Sequence, residues 1–138
     1  MHLPPQIVII SLLVVLGFVF LMVLVGGRAP VVSVTDEGLS VKSAMYSAQI
    51  AFGDMSELTL VHSLPRILLK TNGFAAGGKL RGSFKVAELG SGKLFVDLRR
   101  PPFILVKTPT SFLAVNLEGS RETEALYRSL ARWSGQTG

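Results

Sequence analysis

The stretch that decides the fold is GGKLRGSFKVAELGSGKLFVDL, residues 77–98. From Lys79 to Val86 apolar and basic residues alternate with period two, as a strand requires. Leu80, Phe84 and Val86 share one face, and Lys79, Arg81 and Lys85 share the other. Gly90-Ser91-Gly92 then reads as a hairpin turn that returns the chain through residues 93–98. Beyond Arg99-Arg100-Pro101-Pro102 the sequence predicts two more strands, residues 103–108 and 111–117, joined at Pro109-Thr110. Before the deciding stretch, Thr71-Asn72-Gly73 reads as a loop, and residues 46–52 and 58–64 as strands, the second stopped by Pro65. Residues 31–35 and 39–42 pair about Asp36-Glu37-Gly38 in an opening hairpin. The count comes to about seven antiparallel strands.

At the C-terminal end the period changes. Ser120 is placed to cap a helix, Glu122 and Glu124 suit the positive end of its dipole, and Arg128 and Arg132 suit the negative end. Leu126, Tyr127, Leu130, Ala131 and Trp133 give that helix an apolar face. Such a helix closes the open end of a small barrel or sandwich, with Trp133 read as part of the plug.

At the N-terminal end, residues 7–25, IVIISLLVVLGFVFLMVLV, hold only Ser11 and Gly17 as non-hydrophobic positions. At ~1.5 Å per residue the run reaches about a hydrocarbon thickness. Pro4-Pro5 before it and Gly26-Gly27-Arg28 after it mark its ends. A cleaved leader would want a basic start, a shorter apolar core and small residues at the cut, and none of these is present. The expectation is a transmembrane anchor over residues 1–28 and one domain over 29–138. The protein would be a single-pass cell-membrane protein, its domain on the cytoplasmic side because Arg28 and Lys42 follow the helix.

Composition removes several chemistries. There is no cysteine, hence no disulfide framework, thiolate nucleophile or sulfur-bound zinc. The net charge of +5 lies wholly after the apolar run and favours an anionic partner. His62 alternates with apolar residues in LTLVHSLP and reads as structural. The glycines at 73, 77, 78 and 82 match neither a dinucleotide nor a nucleoside-triphosphate loop. No nucleophile elbow and no carboxylate pair stands out, so neither an enzyme nor a cofactor is expected.

The quoted segments also resemble the bacterial pleckstrin-homology-like domains, in the small form joined to hydrophobic helices. The resemblance covers residues 31–133. It is carried by VVSVTDEGLSV, AQIAF running into GDMSELTLV, GGKLRGSFKVAELGSGKLFVDL, FILVKT with SFLAVNL, and SRETEALYRSLARW. It implies a mainly β domain, a seven-stranded antiparallel barrel or sandwich closed by a C-terminal helix, and binding rather than catalysis.

The function expected is a membrane-anchored scaffold that assembles with a protein partner or with copies of itself. The alternatives are an anionic-lipid-surface binder and an accessory subunit of a membrane enzyme or transporter. An anionic surface would meet Lys79, Arg81, Lys85, Lys93, Arg99 and Arg100. Nucleic acid is disfavoured, since aromatic residues do not interleave with these charges.

Overall fold

The computed structural model describes residues 3–26 and 29–136, without the side chains of 22–26 and 135–136. An N-terminal helix, α1 (Pro5–Gly26), leads into β1 (Val31–Val34), β2 (Gly38–Lys42) and β3 (Ser47–Ala51), which form a three-stranded meander. A single 3-10 turn at Phe52–Asp54 passes the chain to a second sheet. Its strands are β4 (Glu57–Val61), β5 (Ile67–Ala76), β6 (Lys79–Val86), β7 (Gly90–Asp97), β8 (Phe103–Lys107) and β9 (Phe112–Val115), in the order β4-β8-β9-β7-β6-β5. Helix α2 (Ser120–Gln136) follows.

The expected seven-stranded antiparallel barrel is therefore corrected to two sheets, of three and six strands, the larger one mixed. The β8–β9 hairpin inserts between β4 and β7, so β9 runs parallel to β7 through Lys93↔Leu113, Leu94↔Ala114 and Phe95↔Val115. Every other pair is antiparallel. The parallel contact arises because β8 seats one strand's width away from β7 and leaves a slot that only β9 fills.

The loop expected at Thr71-Asn72-Gly73 is also corrected, since these residues lie in β5. That strand is paired along β6 with two register shifts, between Ile67 and Leu69 and between Lys70 and Asn72. Bulges and an edge position leave residues 68–72 exposed, which erases the alternation that would betray a strand. Gly77 and Gly78, with φ of 59° and 82°, make the two-residue turn into β6. The next turn falls on Ala87-Glu88-Leu89, ahead of the expected Gly90-Ser91-Gly92, and Val86 pairs with Gly90. Gly92 is instead a packing position, because a Cβ there would overlap the Phe112 ring.

Strands β8 and β9, and β7 from Leu94 onward, are buried on both faces, which is why FILV and FLAV read as continuous apolar runs. One face carries Phe95, Ile104, Val106, Leu113 and Val115 against Leu39, Val41 and Phe52 of the first half of the domain and Leu130 of α2. The other gathers Leu80, Phe84, Val86, Leu94, Val96, Phe103, Leu105 and Phe112, with Val61, Leu64 and Ile67 packed against it. Helix α2 lies where a closing helix was expected. Its first turn is closed by Thr123 N donating to Gly119 O, which places the cap at Gly119 rather than Ser120. Trp133 stacks on Phe52 with centroids 6.3 Å apart and planes at 11°.

The apolar helix forms where the sequence places it, 22 residues long in its backbone. Its described large apolar side chains, from Ile7 to Leu21, stand 48% to 66% exposed. Among the described residues, however, no helix is long and apolar enough to cross a membrane. The expectation of a transmembrane anchor and a single-pass cell-membrane protein is corrected accordingly, to an exposed apolar helix. Gly27 and Arg28, which were to end the span and orient it, lie outside the described residues.

Candidate functional site

The strand order brings the start of β6 and the ends of β7 and β9 side by side at one end of the larger sheet. Four of the six basic residues singled out in the sequence meet there. Lys79 opens β6, Arg81 follows on the same strand face, and Arg99 and Arg100 leave β7. With Asp97, Asn116 and the buried Pro30 they line a cavity of 70 Å³. Lys85 and Lys93 do not join them. Lys85 is exposed at the opposite end of β6, paired with Ser91. Exposed Lys93 donates from Nζ to the Ser47 carbonyl at 2.8 Å, bridging the two sheets.

The strand face shared by Lys79, Arg81 and Lys85 is not uniformly open to an anionic surface. Arg81 is opposite Phe95 in the β6–β7 register and only 3% exposed, because the face it shares with Phe95 is a packed one. Its Nη1 donates to Leu80 O at 2.9 Å and Val96 O at 2.7 Å. Burial pushes the guanidinium below its ordinary pKa, and the charge of Asp97 pulls the other way.

Asp97 organises the rest. Its carboxylate accepts from Arg99 N at 3.0 Å, Nε at 3.1 Å and Nη2 at 3.2 Å, and pairs with Arg100 Nε at 3.5 Å. The Arg99 side-chain hydrogen bonds, more than any other cause, hold the Asp97 carboxyl below the usual range, against the opposing effect of burial. The same contact raises the Arg99 guanidinium. Asn116, 2% exposed, locks the backbone around this pair. Its Oδ1 accepts from Asp97 N at 2.8 Å, while Nδ2 donates to Asp97 O at 3.0 Å and Arg100 O at 2.7 Å. Arg100 Nη1 reaches Glu118 O at 3.2 Å.

Neither Asp97 nor Asn116 was singled out by sequence reasoning. The available signal was a lone amide at the end of the apolar run FLAVN, a residue whose burial requires partners.

The depressed Asp97 carboxyl fixes a pH dependence. A carboxyl lowered by folding adds stability above its unfolded value, ~3.9, and loses it as pH falls through that value toward the folded one. The unfolding free energies of the native chain and of Asp97→Asn should therefore converge as pH is taken from neutral to about 3. Urea titrations across that range measure it, and a gap unchanged with pH would mean that the carboxylate's charge contributes nothing.

A second feature lies at the free edge of β3, which has a neighbour on one side only. Phe52 N donates to Glu37 O across the β2–β3 pair. Alternation then turns Ile50 and Ala48 toward β2 and leaves the backbone groups of Gln49 and Ala51 pointing outward. Beside this edge runs a groove of 210 Å³ between Ala48, Gln49 and Ile50 and, on the larger sheet, Lys93, Thr108, Ser111 and Phe112.

His62 is exposed just past β4. Among the described residues no group of three or more His, Cys, Asp or Glu side chains is placed to hold a metal. No family model, no curated protein and no solved structure matches the chain.

Proposed function

We propose that the β domain is a non-catalytic docking module that assembles with a protein partner by accepting an extended segment of it along the free edge of β3. Such a segment gains main-chain hydrogen bonds from the edge and specificity from the side-chain groove next to it. The observation that carries the reading is the coincidence of outward backbone groups at Gln49 and Ala51 with the groove flanked by Lys93 and Phe112. Strand β5, the ten-residue edge of the larger sheet, is bulged twice, a device that discourages pairing. At β3 no bulge interrupts the register from Gly38↔Ala51 to Lys42↔Ser47.

Gln49→Pro tests this directly. It removes one outward N–H while leaving the ladder to β2 intact, since proline is tolerated on a strand's solvent edge. Crosslinking of the full chain in its native extract should give a reproducible partner, or a second copy of the chain, that Gln49→Pro loses and Lys85→Gln keeps. Crosslinking that yields only monomer, or a partner indifferent to Gln49→Pro, would refute edge docking.

A further inference from the structure

We infer that the cavity at the shared end of β6, β7 and β9 is a binding site for a single phosphoryl oxyanion. The inference is independent of edge docking, which uses other strands and other residues. It begins with charge. Lys79, Arg81, Arg99 and Arg100 line the cavity against the two carboxylates of Asp97 and Glu118, so the lining carries a net excess of two positive charges. That excess matches a phosphate dianion.

The walls are fixed before any ligand arrives. Arg81 and Asn116 are 3% and 2% exposed and hydrogen-bonded to backbone carbonyls, and Asp97 holds both Arg99 and Arg100 in place. Asp97 is thus a positioning residue, fixing two guanidiniums at the cavity and leaving Arg99 Nη1 and Arg100 Nη2 as the donors for phosphate oxygens. Lys79, half-buried at the same opening, makes no ion pair among the described residues and contributes a compact point charge. Ordering side chains in advance removes the main cost of gathering several cations around one anion.

Size narrows the ligand. A volume of 70 Å³ admits a few waters or one tetrahedral oxyanion. It is far below the ~300 Å³ at which pockets begin to take drug-sized molecules, so a base or sugar attached to the phosphate must remain outside. Shared recognition chemistry leaves two sources, free inorganic phosphate and the terminal group of a phosphomonoester. Openness of the Arg99 and Arg100 side chains, 61% and 54% exposed, provides the route in.

The test is a titration of the full chain at pH 7.5 with inorganic phosphate, glycerol phosphate and acetate in parallel, at constant ionic strength, following the backbone amide signals of Arg100 and Asn116. Saturable shifts with inorganic phosphate are expected. Lys79→Gln and Arg100→Gln should each weaken them about 10-fold, the effect of removing one charge-assisted contact. Lys85→Gln, at the other end of β6, should change nothing, and circular dichroism checks that each variant is folded. Equal binding of glycerol phosphate identifies a monoester terminus as an acceptable source, and binding of inorganic phosphate alone identifies the free anion. Acetate binding as tight as phosphate would overturn the phosphoryl assignment. Absence of a saturable shift in tens of millimolar phosphate, or shifts insensitive to both Lys79→Gln and Arg100→Gln, would overturn the site altogether.

Discussion

Replacing Asn116 by leucine should lower the unfolding free energy by about 3 kcal/mol, though the two side chains share the same branching at Cγ. The side chain is 2% exposed and satisfies three backbone groups at once. One of them, Asp97 O, keeps a second donor in Arg100 N at 3.0 Å. Asp97 N–H and Arg100 O lose the contacts that Asn116 provides, and each buried unsatisfied group costs ~1–3 kcal/mol. The greater apolarity of leucine recovers part of that loss, which is why the estimate stays near the middle of the range. Thermal unfolding is the measurement, with a fall of roughly 10 °C expected. A variant melting within a degree or two of the native chain would show that the 97–100 segment is held by its ion pairs and needs no amide beneath it. Because the same amide fixes the backbone that carries Arg99 and Arg100, phosphate binding should weaken along with stability.

Gly82→Ala is expected to cost more, about 3–5 kcal/mol, because strain and overlap act together at one position. Gly82 has φ of 115°, a conformation that an L side chain enters only under strain. A Cβ there would stand 2.5 Å from Asn72 O and 2.8 Å from the Gly73 Cα, both backbone atoms of β5 that cannot swing aside. Gly82 faces Gly73 across the β5–β6 pair, and the two bare backbones approach closely beneath Tyr46. Gly77→Ala provides the comparison. Its φ of 59° is left-handed too, but nothing lies within 4 Å of the added carbon, so about 1 kcal/mol is expected. Urea midpoints of the two variants decide the matter, and equal losses would mean that close approach at Gly82 carries no weight.

Much of the β framework was legible because it rests on local pattern. Phe103 to Val106 and Phe112 to Val115 read as strands from their apolar runs, the β6 alternation was correctly phased, and α2 was visible from its period and charges. What escaped depends on distant partners. Lys79, Arg81 and Lys85 do share a strand face, but whether that face meets water is decided by what packs on it. At Phe95 the same face is core, so Arg81 is buried and Lys85 is not. The parallel pairing of β7 with β9 leaves no mark in either strand, since hydrogen-bonding partners are chosen by the β7–β8 connection rather than by residue type. Strand β5 was hidden by its own exposure and bulges. The cavity was half visible. Its cations could be selected by type, whereas Asp97 and Asn116 acquire meaning only when parallel strands end at the same edge.

That insertion of β8 and β9 between β4 and β7 also orders events in time. The β5–β6–β7 meander joins neighbours in sequence and can form by closing short turns, whereas β4 has no partner until β8 has been added, as the bond from Ser56 to Lys107, 51 positions away, makes plain. Contacts between distant segments form slowly, because loop closure costs entropy before pairing returns any stability. By this measure the meander is expected to form before the seam between β4 and β8.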